Sequence, residues 1–216
     1  MNLQQFYQKR FGGREAYRTK VWAVLVEQYF QKWIKADDVV LDLGAGYGEF
    51  INQVICRKKY AMDLNPDTAH KISSEVELLA QNSTDPWPLS NSSLDVVFTS
   101  NFFEHLPNMQ AFHTTLSEAR RCLKPGGMLI ALGPNLRYTG QAYWEIEDHH
   151  LPLTEQSLVE ALTQQGFQIE TCIDKFLPFT MASGPHYPTF FVSLYLRLPF
   201  AWRIIGKQFL VMGRKL

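Results

Sequence analysis

Cysteine is scarce in this chain, charge of one sign is absent, and no apolar run is both long and uninterrupted. Three cysteines, Cys56, Cys122 and Cys172, are odd in number and far apart. They form neither a CxxC knuckle nor a disulfide framework, which points to a reducing, cytoplasmic setting. Lys plus Arg equals Asp plus Glu at 21 each, and without a basic face counterion release cannot drive nucleic-acid binding. The start, Met1 to Phe6 with three polar residues inside it, is too polar for the apolar region of a signal peptide. The most apolar tract, Pro185 to Ile205, is broken by Arg197, Pro199 and Arg203, whereas a membrane span needs about 20 apolar residues with few charges. What is present is 46% hydrophobic and 13% aromatic content, enough to exclude a disordered or collagen-like chain. At 216 residues the length suits one large domain with a substantial core.

Periodicity then lays out the elements. Trp22, Val26, Tyr29 and Trp33 recur at helical spacing, so the first 34 residues read as helical, with Gly12-Gly13 breaking off a short leading piece. Val39 to Leu43 reads as a buried strand, Lys59 to Asp63 as a second, and Glu75 to Leu79 as a third. Leu94 to Ser100 is a fourth strand, entered through Ser90-Asn91-Ser92-Ser93. Met109, Phe112, Leu116, Ala119 and Leu123 share a helical face, and Lys124-Pro125-Gly126-Gly127 stops that helix. Met128 to Leu132 follows as a strand. A helix capped by Thr154 and ended by Gly166 precedes strands at Phe167 to Cys172 and Phe209 to Met212. Strands alternating with helices predict an α/β, doubly wound, mostly parallel sheet. In such sheets ligands sit beyond the strand carboxyl ends, where the strand order reverses.

Asp42-Leu43-Gly44-Ala45-Gly46-Tyr47-Gly48-Glu49 follows the first strand and is expected to open a helix. Its glycines allow a tight turn and close approach of a ligand. A dinucleotide loop needs G-x-G-x-x-G, but Glu49 takes the last position and Gly48 comes one residue early. Asp42 and Glu49 flank the loop with two carboxylates. Two unit charges about 5 Å apart repel by about 3 kcal/mol at an effective dielectric near 20, and a pyrophosphate would meet the same repulsion. A cation would be attracted. S-adenosylmethionine carries a sulfonium and an ammonium, so the charge of the loop favours it over a nicotinamide dinucleotide. The plain alternative is an ordinary strand-to-helix connection. Asp63 ends the second strand, where an acid can accept hydrogen bonds from both ribose hydroxyls.

Asp42 to Gly48 resembles motif I of the class I S-adenosylmethionine-dependent methyltransferases. Tyr60 to Asn65 is similar to their ribose-binding strand end, and Trp87 to Val97 to their L-P-F-x-x-x-S-F-D-x-V stretch. Phe103-Glu104-His105-Leu106 and Leu123 to Gly127 complete the resemblance, which covers roughly residues 38 to 170. More narrowly, the chain resembles bacterial type 11 and type 23 methyltransferases, including members encoded with cell-surface glycan and lipid genes. The resemblance implies a Rossmann-like seven-stranded sheet whose last strand, Gln208 to Arg214, runs antiparallel. It implies one methyltransferase domain over 1–216: a helical cap at 1–36, the core sheet at 37–178, an apolar insert at 179–206 and the last strand at 207–216.

It also implies that Gly44, Ala45 and Gly46 underlie the methionine part of the cofactor and that Asp42 acts on its ammonium. Asp63 would hold the ribose and Leu64 lie against adenine. Asn101 would sit beside the methionine end. Ser83, with Thr84 and Asp85 next to it, stands where the family often places an acid for the adenine amino group.

An oxygen nucleophile benefits from a base with a pKa near neutral, and histidine fits. His149 and His150 lie in an acid-rich connection after the fifth strand; His105 follows the fourth. The bland readings are a capping or solvated histidine for the pair and a buried, pocket-shaping histidine for His105. Glu145, Glu147, Asp148 and the two histidines are metal-ligand types, but adjacent residues rarely face one ion, so no metal is expected. Ser100-Asn101-Phe102-Phe103 bears no likeness to the N/D-P-P-Y/F tetrad of amino methyltransferases, which favours an oxygen or carbon acceptor. The expected reaction is O-methylation of a small-molecule, glycan or lipid-linked acceptor. The alternatives are a nicotinamide-dependent oxidoreductase and a non-catalytic, cofactor-binding interaction module.

The apolar insert is expected to cover the active-site mouth or to form a core or dimer contact. Its aromatic face and arginines also suit peripheral contact with the inner face of a membrane. Either a monomer or a homodimer is compatible with this reading. Arg10, Arg14 and Arg18 read as a solvated helix face from which one could reach an acidic acceptor or the cofactor carboxylate.

Overall fold

The computed structural model describes residues 12–179 and 186–216. Seven strands form one sheet in the order β3-β2-β1-β4-β5-β7-β6. They are β1 (Val39–Leu43), β2 (Lys58–Met62), β3 (Val76–Leu79), β4 (Leu94–Ser100), β5 (Leu123–Pro134), β6 (Phe167–Leu177) and β7 (Gln208–Lys215). β7 pairs antiparallel with both β5 and β6; the other pairings are parallel. The order reverses between β1 and β4, so a crevice opens at their carboxyl ends. The seven-stranded sheet with an antiparallel last strand is as expected.

Parallel strands are covered on both faces and need apolar residues on both. All five residues of β1 are buried. Val39, Leu41 and Leu43 point into one core and Val40 into the other, so alternation puts Asp42 on the Val40 side. That side is covered by α1 (Glu15–Leu25), which widens into a π turn over Val26–Phe30 and tightens into a 3₁₀ turn over Gln31–Trp33. There Trp22, Phe30, Phe50 and Phe98 pack together, with Phe50 and Phe98 stacked at 3.6 Å between ring centroids. The opposite side is covered by α3 (Met109–Cys122) and α5 (Glu155–Gln164). Short helices α2 (Thr68–Lys71) and α4 (Leu136–Thr139) sit in connections.

Local rules explain most boundaries. The Asn108 side chain accepts from Ala111 N at 2.9 Å and caps α3. Thr154 and Ser157 form a capping box at α5, and Gly166, at φ +77°, ends it. Four expectations need correction. Residues 47–53 form successive turns and not a regular helix. Leu123 does not belong to α3 but starts β5, which runs through the expected Lys124–Gly127 stop, with a register shift between Leu94 and Val96 of β4. Met109 opens α3 but is exposed, outside the buried stripe of Phe112, Leu116 and Ala119. β6 and β7 are longer than expected, because their pairing continues past the apolar runs.

Between β6 and β7 lie α6 (Thr189–Leu196) and α7 (Pro199–Ile205). Val192, Tyr195, Leu196 and Trp202 pack on the α1-side core. No helix among the described residues is long and apolar enough to cross a membrane.

The α1-side aromatic core should dominate stability. Phe30 is fully buried and meets five other aromatic rings of that core, those of Trp22, Tyr29, Phe50, Phe98 and Phe176, while standing outside the crevice at the reversal point of the sheet. Phe30→Ala should lower the unfolding free energy by about 3–5 kcal/mol, read as a shifted urea midpoint at unchanged slope.

Candidate active site

A cavity of about 320 Å³ opens at the reversal point of the sheet. Its floor is the loop after β1. Gly44, Gly46 and Gly48 all have positive φ, +73°, +55° and +73°, a region that L side chains adopt at a cost. Close packing adds a second constraint at Gly44, where a Cβ would stand 2.5 Å from the Phe102 ring. Gly44 N and Ala45 N both donate to Met62 O, at 2.9 and 3.1 Å, so the loop folds over the end of β2. Asp63 completes the closure: Oδ2 accepts from Gly46 N and Oδ1 from Asn65 N, each at 2.7 Å. Thr68 Oγ1 donates to Gly46 O at 2.6 Å. These bonds hold the loop in shape before any ligand arrives.

The charge of the loop differs in detail from the sequence expectation. Arg18 Nε donates to Glu49 Oε1 at 2.6 Å, so Glu49 is paired with a cation and Arg18 is part of the cavity wall, not a solvated face. Arg14 does not line the cavity, and Arg10 lies outside the described residues. Asp63 faces Asp42 too, with Glu49 the larger charge influence of the two. Burial, then the charges of Glu49 and Asp63, push the Asp42 carboxyl well above the usual carboxylate range, against a hydrogen bond from the backbone of Ile51. Burial also raises Asp63, opposed by its backbone donors at Asn65, Gly46 and Leu64. Two buried acids in one wall are what a cationic ligand would relieve.

Beyond Asp63, Leu64 is 57% exposed and lines the cavity beside Gln81, Asn82 and Ser83. Ser83 is buried there, with its hydroxyl on Thr115 Oγ1 at 2.9 Å and its carbonyl accepting from Trp87 Nε1. Thr84 turns away: it bonds Asn82 Oδ1 and is not among the cavity residues. Gln81 and Asn82 were not anticipated, since amides in a turn carry no motif.

At the other end stand Asn101, Phe102, His105, Asp148 and His149. Asn101 holds a left-handed φ of +52°, and its backbone N donates to Leu132 O at 3.0 Å. The strained turn delivers the chain from β4 into the 3₁₀ turn Phe103–His105. His105 Nδ1 lies 3.0 Å from both the carbonyl and Oδ2 of Asp148, and its Nε2 lies 3.9 Å from Glu104 Oε1. The connection is pinned in register by His150 N and Leu151 N, both donating to Glu104 O. His149 is buried, with its ring 5.0 Å from that of His105, whereas His150 is exposed and outside the cavity. Of the three candidate bases, the structure therefore brings two to the site. Burial works against charging His105, but the Asp148 hydrogen bond and the charges of Glu104 and Asp148 outweigh it, and its pKa lies above the usual 6.5.

Glu104, His105 and His149 present ligand-type atoms within 4.8 Å of one another. This is a different set from the Glu145–His150 run considered in the sequence. Trp22, Phe179 and Gln208 also line the cavity and were missed; they come from an N-terminal helix, the end of β6 and the start of β7, and only the fold unites them.

A preformed glycine loop under an acidic wall, at the switch point of a sheet with this strand order, is the arrangement that the resemblance to class I methyltransferases implied. Residues 41–131 match the family model described as a methyltransferase domain. Solved structures share the fold. An S-adenosylmethionine-dependent methyltransferase from Archaeoglobus fulgidus superposes with a TM-score of 0.66 at 19% identity, covering 98% of each chain. One from Thermotoga maritima gives 0.65 at 18% identity, over 99% of this chain and 96% of that one. A complex of the Haloferax volcanii Trm112 methyltransferase activator with a methyltransferase gives 0.68 at 17% identity, over 99% and 98%. No curated protein matches the chain in sequence. Residues 41–131 thus carry a methyltransferase domain, in a chain that has the fold of S-adenosylmethionine-dependent methyltransferases, which points to S-adenosyl-L-methionine as the cofactor.

The raised Asp42 carboxyl makes a checkable statement about cofactor binding. A cation seated near it favours the charged form, so at acidic pH binding should release protons. Calorimetry in buffers of different ionisation enthalpy should show this as buffer-dependent heat. Asp42→Asn should abolish that dependence and weaken binding about tenfold or more, the equivalent of ~1.4 kcal/mol.

Proposed function

We propose that the protein transfers the methyl of S-adenosylmethionine to a hydroxyl oxygen of a small-molecule, glycan or lipid-linked acceptor, with His105 as the base. The observation that carries this reading is the Asp148–His105–Glu104 arrangement at the edge of the cofactor cavity. The cofactor supplies an electrophilic methyl on a sulfonium. The chain's residues supply the rest. Asp42 and Asp63 offer negative charge to the cationic and ribose parts, and Arg18 offers a guanidinium to the carboxylate. Leu64 and Ser83 bound the adenine end; Gly44, Ala45 and Gly46 keep side chains out of the way.

Asp148 engages His105 Nδ1, which favours the tautomer with Nδ1–H and leaves Nε2 with its lone pair. Nε2 would accept the hydroxyl proton as the O–CH3 bond forms and the sulfonium S–CH3 bond breaks, with S-adenosylhomocysteine as the leaving group. Asp148 and the buried Glu104 then stabilise the imidazolium. His149 packs against the His105 ring and acts as a positioning residue. The Ser100–Phe103 stretch, unlike the amino-methyltransferase tetrad, supports an oxygen acceptor, as do the two acids that raise the basicity of His105. Reduced Cys56, Cys122 and Cys172 support a cytoplasmic setting.

Binding is the first check: calorimetry should show sub-millimolar affinity for S-adenosylmethionine and S-adenosylhomocysteine and no heat with nicotinamide dinucleotides. Transfer of labelled methyl to a panel of hydroxylated glycans and lipid-linked sugars should then find the acceptor. Because neutral His105 is the active form and its pKa is raised, the rate should climb with pH through a midpoint above 6.5 and fall below it. His105→Gln should cut kcat by about 10²–10⁴ at unchanged cofactor affinity, and failure to do so overturns the base assignment.

A second reading follows from the closeness of Glu104, His105 and His149, which would suit a divalent ion. The proton-transfer reading expects full activity after EDTA treatment and gel filtration; loss restored by Mn²⁺ or Zn²⁺ would favour the metal.

A further inference from the structure

Seven of the twelve exposed large apolar side chains among the described residues fall within α6, α7 and their approach: Tyr187, Phe190, Phe191, Leu194, Phe200, Ile204 and Ile205. Helical spacing places Phe190, Phe191 and Leu194 on one outward side of α6, while Val192, Tyr195 and Leu196 pack inward. On α7, Phe200 and Ile204 are outward, and Trp202 is held inward by donating Nε1 to Tyr195 O at 2.8 Å. The pair is anchored to the body: Ser193 Oγ donates to Gln28 Oε1 at 2.7 Å, and Lys175 Nζ to Arg203 O at 3.1 Å. The outward apolar side chains thus stand on helices fixed from beneath.

Charge identifies what fits them. After Asp174 the chain carries Lys175, Arg197, Arg203, Lys207, Arg214 and Lys215 and no acid at all, in a protein whose net charge is zero. Arg197, Arg203 and Lys207 are exposed on the same segment as the apolar side chains. An exposed apolar segment that carries cations and no acid of its own matches a bilayer with anionic headgroups. A protein partner with an apolar face would give no reason for the one-sided charge. Eight- and seven-residue helices reach about 12 and 10 Å at 1.5 Å per residue, far short of the ~30 Å hydrocarbon core, so they can lie in the interface but not cross it.

We infer that the outward face of α6 and α7 docks the protein on an anionic lipid bilayer, with the aromatic and aliphatic side chains in the headgroup–acyl boundary and Arg197, Arg203 and Lys207 against the lipid charge. This inference stands apart from the acceptor proposed above, since a membrane-seated enzyme can act on any of those acceptors.

Flotation of the full chain with extruded vesicles tests it. The protein should float with phosphatidylglycerol–phosphatidylcholine vesicles, remain unbound with pure phosphatidylcholine, and release as salt rises. Arg197→Gln with Arg203→Gln should weaken binding about 25-fold, roughly fivefold per arginine. Phe190→Ser with Phe200→Ser should also reduce it. Both variants should bind S-adenosylmethionine as the wild type does, which shows them folded. Equal binding to neutral vesicles, wild-type binding by the folded variants, or a wild-type dimer that these serines convert to monomer in sedimentation would each overturn the proposal. Loss of methyl transfer with intact flotation would instead count against the function proposed above.

Discussion

The carboxylate of Asp63 is the point on which the site depends. One oxygen takes the Gly46 N–H and the other the Asn65 N–H, so a single side chain ties the glycine loop of β1 to the end of β2. Without that clamp the three left-handed glycines would be free to spread over many conformations, because glycine gives up more freedom on ordering than any other residue. The clamp works because the acid is buried beside backbone donors whose own need for partners it satisfies. Its cost is a second carboxyl near Asp42, and the cost becomes an asset once the ligand is a cation.

At the opposite end the same logic recurs with different residues. Glu104 is almost fully buried, and its carbonyl receives two backbone N–H groups from the His150–Leu151 segment. Those bonds set the register of the connection that carries Asp148 and His149. Adjacent residues therefore take opposite fates: His149 turns into the cavity wall and His150 faces water. Fixed backbone geometry, not side-chain chemistry, separates them.

The insert between β6 and β7 joins site and surface. Gln208, at the start of β7, donates to the carbonyls of Pro178 and Phe179 at 2.9 Å each, and both Gln208 and Phe179 line the cavity. The helices beyond present apolar side chains outward while their inner sides complete the α1-side core. A segment that reads as one apolar tract is thus split by packing into a structural face and an exposed one.

Much of this was legible in the sequence because local physics wrote it there. β1 and β4 are β-branched, apolar runs that only a doubly covered strand needs. The Thr154 cap follows from a side chain that satisfies orphan N–H groups within a few residues. The glycine pattern of Gly44, Gly46 and Gly48, with Asp42 and Asp63, favoured a cationic ligand through its charge, and the motif resemblance pointed to the cofactor. The tertiary structure decided what depends on partners distant along the chain. Arg18 reads as one more helix-surface cation until α1 is laid over Glu49; Thr84 and Ser83 look equivalent until Thr115 claims the hydroxyl of Ser83. His105 gains Asp148 across 43 residues, and β5 outruns its apolar stretch because Leu123 pairs with Leu94 of β4 at one end and Pro134 with Gln208 of β7 at the other. Short-range periodicity and capping are encoded residue by residue, whereas long-range pairing, burial and the sign of a local field exist only once the chain has closed on itself.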